Sequence, residues 1–196
     1  MPSSAFTEWQ TWGLTRLDEL EGVHADARGT GPGRRWGTEQ LNRSLFVALV
    51  AQFQTYCRNL HDDTIDIQVA RATAEQTNLL RTLMTQGRKL DTQTPRTSVL
   101  GSDFPRLGFS LLDGVRAHGA PGTAGALRLL DVLIDFRNAI VHGSETQIRA
   151  IIASGDVKAT MGSYRAYRRM IARLATTMDE VVAARLASLL NVPPPW

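Results

Sequence analysis

The chain has a single cysteine, Cys57, among 196 residues, which rules out an intrachain disulfide and leaves no Cys/His spacing of the kind that holds zinc. Cys57 falls within an apolar helical pattern, where a buried filler is the expected role. No apolar run approaches the length needed to span a membrane. The N-terminal MPSSAFTEWQTWG lacks the basic region and apolar stretch of a secretory signal, so a cytoplasmic protein is expected. The alternating pattern of half-buried strands is missing throughout. No motif calls for a cofactor.

What remains is ordinary globular composition, 43% hydrophobic and 21% charged. A net charge of +3 weakly favours an anionic partner. Helical periodicity dominates, and the expected fold is an all-α, up-and-down helical bundle with additional flanking helices. Two parts are expected: residues 1–37, an N-terminal helix and a Gly/Arg-rich loop packed on or extending the domain, and residues 38–196, the helical domain itself.

From the N-terminus, Trp9, Trp12, Leu17 and Leu20 predict a first helix over residues 8–20, with the tryptophans packed on the bundle. RGTGPGRRWG, residues 28–37, breaks the periodicity; Arg34 and Arg35 are solvated or contact phosphate. A long helix is expected from Thr38, a good N-cap, to His61. Its stripe of Leu41, Leu45, Ala48, Leu49, Gln52, Phe53, Tyr56 and Leu60, widened by Val47 and Val50, suits a central helix or a dimer interface.

The acidic residues Asp62, Asp63 and Asp66 beside His61 match no metal motif and are expected to be solvated. A further helix is predicted over residues 69–90, with Leu79, Leu80, Leu83 and Met84 inward. DTQTPRTSVLGS reads as a polar connection, and Asp103 as the cap of a short helix through Leu111, Leu112 and Val115. His24, His61 and His118 are expected at the surface.

The most informative stretch is LRLLDVLIDFRNAIVHG, residues 127–143. Leu127, Leu130, Leu133, Ile134 and Val141 form an apolar stripe that runs into Arg137 and Asn138 and stops at His142 and Gly143. Gly143 suits the left-handed position just past a helix end. Asn138 precedes His142 by one helical turn and shares its face, whereas Arg137 must swing towards it. A short helix over residues 145–153, a break at Gly155 and a last helix over residues 160–190 follow, ended by Pro193, Pro194 and Pro195. That last helix carries Arg165, Arg168, Arg169 and Arg173, either an RNA-backbone track or a solvated face.

Arg137-Asn138-Ala139-Ile140-Val141-His142 resembles the ribonuclease motif of the HEPN superfamily, an arginine and a histidine separated by four to six residues, usually with a polar residue after the arginine. RSLFVALVAQFQTYCRNLHDD is similar to the long early helix of the RiboL-PSP-HEPN branch. IARLATTMDEVVAARL resembles the final helix of such proteins. Together the three regions cover most of the chain past Thr38.

The resemblance implies a metal-independent endoribonuclease, with Arg137, Asn138 and His142 catalytic, working as a homodimer with a composite site. It also implies RNA as substrate, a role as a toxin or antiviral-defence effector, and an antitoxin or defence-system partner protein. Gln54 and Tyr56 are candidate substrate contacts, although the branch commonly has an acidic residue where Gln54 stands. A tyrosine that a neighbouring nucleotidyltransferase modifies in some relatives is replaced by Ser144, so that switch is expected to be absent. The alternative is a non-catalytic HEPN module that dimerises or binds RNA or protein.

Overall fold

The computed structural model describes residues 1–26, 35–70 and 72–196, and these are mostly helical, with no strand among them. Arg28 and Arg34 of the Gly/Arg-rich loop lie outside the described residues. The helices are α1 (Ser4–Glu8), a π-helical turn (Trp9–Gly13), α2 (Leu14–Asp26), α3 (Arg35–Val69), α4 (Ala74–Thr85), α5 (Thr97–Asp103), α6 (Leu111–Ala117), α7 (Thr123–Val141), α8 (Glu145–Ala153) and α9 (Met161–Leu190). Short 3-10 turns at Lys89–Asp91 and Phe104–Leu107 flank α5. None of the helices is long and apolar enough to cross a membrane.

Three long helices make the core, and their side-chain pairs give their directions. Asn42 reaches the carbonyl of Ala159 and Tyr56 that of Ala175, so α3 and α9 run parallel. α7 runs against both: its later residue Phe136 meets Phe46 near the start of α3, and its first turn faces residues 170–177 of α9. Phe46 is the hub, met edge-on by Phe136 at 5.1 Å, Tyr164 at 5.8 Å and Tyr167 at 6.1 Å. α6 packs closely on α9 because Gly114 has no side chain: a Cβ there would lie 2.4 Å from Val181 Cγ1.

The N-terminal segment is fastened to this core by polar caps. Ser3 caps α1, accepting from the Phe6 amide at 3.0 Å and donating to buried Asp179 of α9. Asp63 of α3 accepts from the Ser4 hydroxyl and the Ala5 amide. Trp9 is buried against Phe53 and Tyr56, as expected of a packing residue, but Trp12 and Leu20 are exposed. The wider π turn explains this: it brings Gly13 and Leu17, rather than Trp12, to the α3 side.

Four sequence expectations change here. The long helix does not stop at His61 but continues to Val69, because its acidic residues find separate partners: Asp62 with Arg88, Asp63 with α1, and Asp66 with Arg81 of α4. The helix expected over residues 69–90 is only α4, held by a Thr73/Gln76 capping box; Leu79 and Leu83 are exposed, and no α4 side chain is fully buried. Asp103 caps no following helix. It ends α5, fully buried, and accepts the amides of Lys89 at 3.1 Å and Leu90 at 2.8 Å, while Ser110 caps α6. The polar connection of residues 91–102 thus contains most of α5.

The histidines also differ from expectation. His24 and His61 are buried, and of the three expected at the surface His118 alone sits there, against Glu180. At the C-terminus, left-handed Asn191 ends α9 before the prolines are reached.

Candidate active site

The motif occupies the last turn of α7, and the way that helix stops fixes where His142 stands. The His142 amide donates to the Asn138 carbonyl at 3.0 Å, Gly143 to Ile140 at 3.1 Å and Ser144 to Ala139 at 2.9 Å. This is the paired bonding of a Schellman cap, and it requires the positive φ of 65° that Gly143 adopts without penalty. His142 is therefore the half-helical residue at the turn. Its side chain is exposed and its imidazole has no partner among the described residues.

Arg137 and Asn138 sit deeper, each half-buried. Arg137 Nη1 donates to Asn138 Oδ1 at 3.0 Å, which ties the two side chains together. The Arg137 Nε is buried without a hydrogen-bond partner, and no carboxylate pairs with this arginine among the described residues. A half-buried cation with unspent donors is suited to an anion.

All three motif residues line one open cleft of about 350 Å³, whose opposite wall is Thr92, Gln93, Thr94, Arg96 and Val99. Several bonds hold that wall. Asp103 fixes the preceding turn; Arg58 donates to the Leu90 carbonyl at 3.2 Å; Gln54 Nε2 donates to the Gln93 carbonyl at 3.1 Å. Asp131 of α7 accepts the Thr97 amide at 2.9 Å, and Arg96 pairs with Asp135. The two carboxylates are spaced one turn apart on α7, so the motif helix itself anchors the facing wall.

The remaining candidate residues separate. Gln54 is tied to the wall through its bond to Gln93. Tyr56 does not reach the cleft: it is buried in the core, its hydroxyl donates to the Ala175 carbonyl at 2.8 Å, and burial pushes its phenol well up. Cys57 is fully buried, and burial likewise raises its thiol.

None of the α9 arginines lines the motif cleft. Arg165 pairs with Glu21 at 3.2 Å, and Arg168 bridges Glu21 at 2.5 Å and Asp18 at 2.6 Å, clamping α2 to α9. Arg169 and Arg173 are exposed, with no ion pair among the described residues. Sequence reasoning missed Arg96 and the Thr92–Thr94 wall. The only local signal was an arginine after Pro95 in a polar stretch.

No protein-family model, curated protein or solved structure matches this chain.

Proposed function

We propose that the protein is a metal-independent endoribonuclease of the HEPN type, acting in the cleft at the end of α7. The observation that carries this reading is the convergence of Arg137, Asn138 and exposed His142 on one cleft, with no carboxylate paired to Arg137 among the described residues. In the reaction, the 2′-hydroxyl loses its proton and its oxygen attacks the adjacent phosphorus. The bond to the 5′-oxygen breaks, that oxygen takes up a proton, and a 2′,3′-cyclic phosphate is left. His142 supplies the imidazole for these proton transfers. Arg137 holds the phosphate oxygens as negative charge builds, and Asn138 orients Arg137.

One chain brings one motif histidine, whereas the base and acid roles are most simply filled by two. A twofold pairing of motif helices fills both, and Val141, an apolar residue half-exposed beside His142, supports an interface there. In this reading the protein is a toxin or defence effector held in check by a partner protein.

The test is cleavage of RNA in EDTA by wild type, Arg137→Ala and His142→Ala, with product ends analysed. Cyclic phosphate ends from wild type and intact RNA with both variants are expected. Intact RNA with a folded wild-type protein would shift the reading to a non-catalytic binding module.

A further inference from the structure

A second cavity, more apolar in its lining than the motif cleft, lies elsewhere on α7. It lies at the opposite end of α7, a helix of 19 residues that is roughly 28 Å long. Its volume is about 400 Å³, within the range of about 300–1,000 Å³ typical of small-molecule sites. Met170 and Leu174 of α9 and Ala126 of α7, all buried, supply an apolar lining.

Three polar features of this cavity lack protein partners. Thr177 is 5% exposed and lines the cavity, yet its hydroxyl makes no hydrogen bond among the described residues. Arg173 lines it with no carboxylate partner among them. α7 starts here at Gly122 with no side-chain cap; the Thr123 amide is taken by the Ala120 carbonyl at 3.2 Å, which leaves the next two first-turn amides without a partner among the described residues at the positive end of the helix dipole. The carboxylate at the rim, Glu180, is already engaged by His118 Nε2 at 3.1 Å.

We propose that this cavity binds a small amphipathic anion, an apolar body of ring size carrying a phosphate or carboxylate. The body lies on Met170, Leu174 and Ala126, and the oxyanion takes hydrogen bonds from Arg173, Thr177 and the first turn of α7. The site is independent of the ribonuclease reading and needs no RNA.

The experiment titrates full-length protein with naphthyl phosphate and naphthoate, with neutral naphthol as control, following probe fluorescence and backbone amide shifts. Saturable one-site binding of an anion at least about tenfold tighter than naphthol is expected, and the tighter of the two anions names the head group. Arg173→Glu should weaken anion binding about tenfold or more, and Thr177→Val should weaken it more mildly. Amide shifts should cluster at residues 122–126 and 170–177. Arg173 is exposed, so its variants are expected to fold; a matching thermal unfolding curve for Arg173→Met checks this. The proposal is overturned if naphthol binds as tightly as the anions, if folded Arg173→Glu and Arg173→Met keep wild-type affinity, or if the shifts fall on the motif cleft.

Discussion

Replacing Arg137 by methionine separates a guanidinium kept for chemistry from one kept for the fold. In the structure this side chain makes one hydrogen bond, from Nη1 to Asn138 Oδ1 at 3.0 Å, and buries its Nε with no partner. Losing a hydrogen bond from a charged group costs about 1.5–3 kcal/mol, while an unpartnered buried donor carries a penalty of about 1–3 kcal/mol that its removal relieves. Methionine keeps the apolar stem packed. The two terms nearly cancel, so Arg137→Met should unfold in urea within about 1 kcal/mol of wild type, with an unchanged m-value. That is a shift of no more than about 2–4 °C in Tm for a chain of this size. On the proposed ribonuclease reading, RNA cleavage should nevertheless fall at least about a hundredfold, the usual cost of removing a donor that stabilises developing charge. A destabilisation above about 2 kcal/mol, or cleavage within about tenfold of wild type, would refute the argument and make Arg137 a structural residue.

Other parts of the structure give independent tests. Asp103→Asn sets an amide donor against one of the two buried backbone amides that the carboxylate accepts, and should cost about 2–4 kcal/mol in urea unfolding and speed hydrogen exchange over residues 89–94; wild-type exchange there would disprove the anchoring role. Burial first, and then the nearby Arg88 charge, hold the His61 imidazole below its ordinary value of 6.5. The unfolded chain therefore binds a proton there that the folded chain does not, and stability should fall as pH drops below about 6.5, by at most about 1.4 kcal/mol per pH unit. Urea midpoints between about pH 7.5 and 5.5 should show a flatter profile for His61→Gln, and identical slopes would count against the assignment. Arg168→Ala should loosen α2 and cost about 1–2 kcal/mol, whereas Arg169→Ala should stay within about 0.5 kcal/mol; equal effects in thermal unfolding would contradict the clamp.

Local chemistry determined a good deal of this protein without reference to its partners. Of the apolar stripe expected on α7, Leu127, Leu130, Leu133 and Ile134 are buried as the period selects, whereas its last member, Val141, is half-exposed at the helix end. Gly143 ends α7, and α8 spans the residues its pattern delimits, because caps and periodicity act within a turn or two of chain. The grouping of Arg137, Asn138 and His142 near one helix end was legible for the same reason.

What a side chain meets across the bundle was not. Identical helical spacing placed Trp9 in the core and Trp12 in solvent, because one π turn shifted the face. Arg165 and Arg168 face acids that lie about 150 positions earlier in the chain, whereas Arg169 and Arg173 on the same helix have none among the described residues. His61 and Asp103 are buried because an arginine and two amides from other segments meet them there. The second wall of the cleft comes from residues 92–99, far from the motif in sequence and brought to it by Asp131 and Asp135 of α7. Helix formation depends on neighbours three or four residues away, so the sequence alone determined α7, α8 and the place of the motif; the extent of α3 and α4, burial, ion pairing and the shape of a cleft depend on groups that only the tertiary structure brings together.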